Sequence, residues 1–222
     1  AHLRRQPQLR FLIWGLHTVP NEWPSALIIE ILATGANLLY VIFLIREKII
    51  CWAFGIFGSL LSIYLFVHAK LYSEAFLYLF YVLLGIWGWV RWHRRLEQDN
   101  NPVSKWALHT HLKAFLATCT LAMGLGYAMW YFTDAQRPLF DAFTTSFSFL
   151  ATYMEVTKVL EGWVYWILIN LASIWLYHDR SLDVYAVLIG LYAVLSVLGY
   201  VSWRRAYLAQ GAEKISPSAH PG

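Results

Sequence analysis

The sequence predicts an all-α membrane protein: seven transmembrane helices arranged as two parallel three-helix repeats joined by a linking helix. Three observations lead there. The 222 residues are 59% hydrophobic, 18% aromatic and only 14% charged, with a mean hydropathy of +0.49, whereas soluble domains carry about 25% charged residues. Seven apolar stretches follow one another along the chain. The chain also matches itself when Trp52 is laid on Trp163. The composition excludes a soluble enzyme or binding module, and its aromatic richness excludes disorder. The 17 Lys and Arg residues lie between the apolar stretches, not in one polybasic run, so nucleic acid is not the expected partner. The lipid bilayer is.

Taken in order, residues 1–25 form an N-terminal segment in which Arg10 to Val19 mixes basic and apolar side chains, as an amphipathic helix on the membrane surface does. A spanning helix needs about 20 mostly apolar residues. Stretches 26–45, 49–67, 114–132 and 184–203 satisfy this directly. Stretch 138–154 carries Asp141, while 75–90 and 162–177 are short and rely on Arg91 and His178 reaching the interface. Backbone groups in lipid must pair within the segment, so runs this uniform read as helices and not as alternating barrel strands. The tail 206–222, ending in Gly, Ser and Pro, reads as flexible. Cys51 and Cys119 sit inside apolar runs and read as small core thiols, with no support for a disulfide.

The positive-inside rule sets the orientation. One side gathers eleven basic residues, among them Arg46, Lys48, Arg91, Arg94, Arg95, Lys158 and Arg204. The other gathers Lys70, Arg137 and Arg180, with Arg4, Arg5 and Arg10 far from the first span. The richer side is expected to be cytoplasmic, with the C-terminus inside.

Residues 52–94 lie over 163–205 without a gap. The match pairs Trp52 with Trp163, Tyr81 with Tyr192, Gly88 with Gly199, Trp92 with Trp203 and Arg94 with Arg205. Apolar composition alone yields Leu and Val coincidences, not aligned tryptophans and a terminal arginine. Upstream, Glu30 falls on Asp141, the acids within those two predicted spans. The units are therefore 26–92 and 137–205, with 93–132 as cytoplasmic loop and linking helix. Three spans on each side of one linker face the same way, as in SWEET sugar transporters, whose sites lie near the midplane between repeats.

On the sixth span Trp163, Trp166, Asn170, Ser173 and Tyr177 share one helical face, matched on the second by Trp52, Gly55, Ser59, Ser62 and Phe66. Trp52 and Trp163 fit an interfacial belt as well as a site. Trp166 and Asn170 lie deeper, and a buried amide needs a neighbouring helix or a ligand as partner. The serines are equally small residues at helix contacts. Trp92 and Trp203, beside arginines, read as interfacial anchors. No Lys or Arg stands mid-span, so a buried phosphate would have no cation to pair with. Aromatic faces favour a flat, neutral or cationic cargo.

The run from Tyr81 to Trp92, with Trp163-Val-Tyr-Trp166, Asn170 and Leu176-Tyr177, resembles the PnuC family of bacterial nicotinamide riboside transporters, over nearly the whole chain. The resemblance implies facilitated diffusion of nicotinamide riboside by alternating access across the bacterial inner membrane. It also implies a homotrimer, with uptake drawn forward by cytoplasmic phosphorylation. It implies no cofactor and no metal. Trp163 and Trp166 would then stack on or enclose the ring and Asn170 would hydrogen-bond it; Ser59, Tyr81 and Tyr192 would contact polar groups, and Trp52 would also belong to the substrate site. Where relatives often carry glutamine this chain has Tyr78, so one polar contact does not transfer. Thiamine and riboflavin are the alternative cargoes.

Other classes fare worse. A retinal protein needs a Schiff-base lysine within a span, and none is present in 184–203. His109 and His111, two apart at a span edge without an HExxH or cysteine cluster, read as a solvated helix end and not a zinc site. No GxxxxGK[ST] loop is present. A membrane subunit of a larger transporter, or a non-transporting scaffold, is the residual alternative.

Overall fold

The computed structural model describes residues 23–68, 72–97, 102–132, 138–179 and 183–215. They form α1 (Trp23–Ile45), α2 (Ile50–His68), α3 (Tyr72–Glu97), α4 (Leu108–Phe132), α5 (Pro138–Val156), α6 (Gly162–Asp179) and α7 (Asp183–Ile215). Among the described residues a single parallel bridge joins Ser104 to Val159, and the short 102–107 segment around Ser104 is otherwise irregular. Five helices, α1 to α4 and α7, are long and apolar enough to cross a membrane, and α6 holds a shorter apolar stretch, Gly162–Trp175. Large apolar side chains such as Ile31, Leu83, Leu116, Leu168 and Val194 point outward. Water would penalise such a surface and lipid solvates it. The chain is a multi-pass, all-α membrane protein.

Two helix ends differ from those read in the sequence. Helix α3 runs to Glu97, so the short third span is lengthened by its arginine-rich end. Helix α7 continues to Ile215, correcting the flexible tail expected from residue 206. Ala, Leu, Gln, Glu and Lys there favour helix and no proline intervenes before Pro217, while the Tyr207 ring holds the Lys105 ammonium at 4.8 Å. The proposed amphipathic segment at Arg10 to Val19 lies outside the described residues.

Successive helices pack as α1 on α2 on α3, and as α4 on α5 on α6 on α7. The two sets meet where α3 lies on α5 and α1 on α7. At that junction Trp92 and Trp203 are fully buried. They are not interfacial anchors, because each fills the core and finds a helix-end carbonyl as partner. The Trp92 indole N–H donates to the Val156 carbonyl at the end of α5, and Trp203 donates to Leu44 near the end of α1, both at 3.1 Å. The last carbonyls of a helix have no partner within it, so these cross-bonds satisfy both sides.

The same geometry recurs at the matching positions of the second half. Trp52 meets Trp92 edge-on at 5.5 Å and 88°, and Trp163 meets Trp203 at 5.5 Å and 88°. A Cβ at Gly88 would stand 2.6 Å from the Trp52 ring, and one at Gly199 would stand 2.5 Å from Trp163. Both positions need glycine for the close approach of helix to indole. Cys51 and Cys119 are free thiols, Cys51 fully buried.

Candidate functional site

Beside the tryptophan core, hydrogen bonds, ring contacts and electrostatic proximity link side chains of five helices in a circuit. On α5 the Glu155 side chain is only 4% exposed, and it accepts a hydrogen bond from the Tyr40 hydroxyl of α1 at 2.9 Å. The Trp166 indole N–H of α6 faces the same carboxyl without meeting the full geometry of a hydrogen bond to it. It is therefore a buried donor with no hydrogen-bond partner. One turn along α6, Asn170 donates its amide to the Ser196 hydroxyl of α7 at 3.2 Å, and Ser196 donates to the Tyr192 carbonyl one turn back. Tyr192 is within electrostatic range of Tyr78 on α3. Tyr78 meets Tyr81 edge-on at 5.5 Å, and Tyr81 lies beside Ser148 of α5 and within electrostatic range of Glu155.

Of the residues read from sequence, the structure brings Tyr81, Trp166, Asn170 and Tyr192 into this circuit. Trp52 and Trp163 are each 1% exposed and belong to the packed core beside it. Trp52 reaches the circuit through the Tyr40 ring at 5.8 Å. Both indole N–H groups nevertheless lack a hydrogen-bond partner, and buried donors left so are rare enough to need a reason. Ser59 is buried on α2, with no contact that ties it to the circuit among the described residues.

The acids are reversed relative to the sequence reading. Glu30 is exposed and Asp141 half-buried, whereas Glu155 is the buried one. Ending the fifth span at Met154, just before a charge, hid it. The helix continues to Val156 because the surrounding bundle supplies Glu155 with a partner. The signal available was the polar face of the first span, where Asn37 and Tyr40 follow Ala33 and Ala36 at helical spacing. Lys158, counted among loop cations, is also buried. Its ammonium lies 2.6 Å from Glu47 and 4.7 Å from the Trp92 ring. His111 is not a solvated helix end: its ring stacks on Tyr165 and its Nδ1 lies 3.3 Å from that hydroxyl.

Chemically the circuit offers aromatic faces, one carboxyl, one amide and an unpaired indole N–H, and no Lys or Arg takes part among the described contacts. That set can enclose a planar ring and bind a cation, an amide or hydroxyls. Among the described residues no His, Cys, Asp and Glu cluster could hold a metal ion.

Comparison with known proteins bears on this arrangement. Residues 27–205 match a family model described as nicotinamide mononucleotide transporter. The nicotinamide riboside transporter PnuC of Escherichia coli (strain K12) is 22% identical over 214 residues, covering 85% of this chain and 90% of that protein. The nicotinamide riboside transporter PnuC of Neisseria mucosa is 23% identical over 198 residues, covering 84% and 73% respectively. The fold is similar to that in a crystal structure of the vitamin B3 transporter PnuC, with a TM-score of 0.67, 20% identity, and coverage of 91% of this chain and 88% of that one.

Proposed function

This chain belongs to the PnuC family of transporters, and from that premise we propose that it carries nicotinamide riboside across the membrane. The observation that carries the choice of cargo is Glu155. A carboxyl buried among Tyr40, Tyr81 and Trp166 is stabilised in its ionised form by a cation brought beside it and opposed by an anion. Nicotinamide riboside offers a flat cationic ring, an amide and ribose hydroxyls. The mononucleotide adds a phosphate, which this circuit gives no cation to meet and which Glu155, once ionised beside the ring, repels. The riboside is therefore favoured over the cargo in the family model's description.

In this reading the ring lies against Trp166 and the tyrosines, Asn170 exchanges its Ser196 bond for the carboxamide, and Ser59 contacts a hydroxyl only if α2 shifts. Trp52 and Trp163 form the floor. Residues 26–92 and 137–205 act as parallel repeats about the linker 93–132, moving by alternating access. The matched Trp–Trp and Gly–Trp geometries in the two halves support two units of one design. Transport is facilitated diffusion, the C-terminus faces the cytoplasm of a bacterial inner membrane, and the assembly is a homotrimer, as the resemblance implies. No ATP-binding loop is present to drive uptake.

Uptake of labelled nicotinamide riboside into proteoliposomes holding the purified protein tests this. Trp166→Ala and Asn170→Ala should each cut uptake by about tenfold or more, the scale of one lost interaction with a buried polar or charged group. Unaltered uptake in both variants would remove the circuit as the site.

A further inference from the structure

Away from the central circuit, at the end of the bundle where α3, α5 and the 102–107 segment meet, lies a concavity of about 430 Å³. Arg91, Arg95, Ser104, Trp106, Tyr153 and Thr157 line it. We propose that it is a binding site for a phosphate-bearing anion, held between the guanidinium groups of Arg91 and Arg95. The transport reading does not use it, and neither arginine belongs to the central circuit.

The two arginines lie one helical turn apart and close enough to repel each other. Among the described residues neither forms an ion pair with an acid. Arg91 has the Trp87 ring beneath its guanidinium, at 5.9 Å, and its Nε is buried without a hydrogen-bond partner. The nearby acids are engaged elsewhere. Glu97 pairs with His93 at 3.4 Å, and Glu161 accepts the Trp106 backbone N–H and lies 4.0 Å from His111. The hydroxyls of Ser104 and Thr157 donate to the carbonyls of Lys158 and Tyr153, so attraction for an anion comes from the arginine pair. Two like charges held together, one of them with a desolvated and unpaired donor, are costly unless an opposite charge joins them. The forked guanidinium geometry matches phosphate oxygens. Trp87 and Tyr153, 5.5 Å apart and partly exposed, stand alongside as amphipathic rings do at the headgroup level. The phosphate can come from a lipid headgroup or from a soluble phosphate, and the chemistry that recognises it is the same.

Thermal unfolding of the purified full-length protein in neutral detergent distinguishes these sources. Phosphatidylglycerol, phosphatidylcholine and inorganic phosphate are titrated separately, each against chloride at matched ionic strength. At least one of phosphatidylglycerol and phosphate should raise the melting temperature in a saturable way. Stabilisation by the lipid alone assigns a headgroup, and stabilisation by phosphate assigns a soluble anion. In Arg91→Gln/Arg95→Gln the apparent affinity should fall by about tenfold or more. If that double variant does not fold, Arg95→Gln alone should give a smaller loss in the same direction. No saturable shift with either probe, or an equal shift in the variants, would overturn the site.

Discussion

Glu47 and Lys158 occupy matching positions in the register that lays Trp52 on Trp163. Both have φ of 55°, and their side chains close an ion pair at 2.6 Å across the two halves of the molecule. Each is the left-handed residue that ends a helix. The N–H of Lys48 reaches the Phe43 carbonyl and that of Glu47 reaches Leu44. The N–H groups of Val159 and Lys158 repeat the pattern onto Met154 and Glu155. Glycine normally takes this position, and another residue pays for it with strain of roughly 1–2 kcal/mol. Here the strained residues carry the charges that tie α1 to α5 beside Trp92.

Glu47→Gln should therefore destabilise the protein by about 2–4 kcal/mol, because it takes the carboxylate away from a buried ammonium. Lys158→Met should cost less, since the exposed side of Glu47 can be hydrated. The charge-swapped pair Glu47→Lys with Lys158→Glu should recover part of the loss. Thermal unfolding of the three variants checks the order.

Close helix–indole packing makes a second expectation. Gly88→Ala and Gly199→Ala should each cost about 1–3 kcal/mol through overpacking against Trp52 and Trp163. Gly190→Ala, with nothing within 4 Å of its Cβ position, should be neutral or slightly stabilising. Equal melting temperatures for all three would show that the indoles yield.

Glu155→Gln should weaken binding of cationic nicotinamide riboside by about tenfold to a hundredfold, the effect of losing a charge-assisted contact. Binding of its uncharged, reduced form should change little. Calorimetric titration of both ligands onto wild type and variant separates loss of charge from loss of shape.

Asn170 and Ser196 should behave as one unit. A double-mutant cycle on binding, with Asn170→Ala and Ser196→Ala, should show coupling of at least about 0.5 kcal/mol, as for contacting residues in a shared network. Additive effects would mean that the amide and hydroxyl act separately.

Much of this was legible in the chain. Seven helices followed from the apolar stretches, and the register of Trp52 on Trp163 foreshadowed the paired tryptophans. Trp166 and Asn170 stand out in the sequence as polar and aromatic residues on one face of an apolar helix, and Tyr81 and Tyr192 as a matched pair in the register. Glu155 does not, because a charge at a span's end looks like its boundary, and only a hydroxyl from α1 makes its burial tolerable. Trp92 and Trp203 misled for a related reason. Beside arginines they resemble interfacial anchors, yet their N–H groups are directed to carbonyls of the opposite half. Such partners are long-range, and neither spacing nor composition encodes them.

Counterflow in proteoliposomes containing only this protein tests the choice of cargo most directly. Vesicles preloaded with unlabelled nicotinamide riboside should accumulate the labelled riboside without ATP or an ion gradient, and excess mononucleotide should not compete. Mononucleotide that exchanged or competed as well as the riboside would contradict a phosphate-free cargo held beside Glu155.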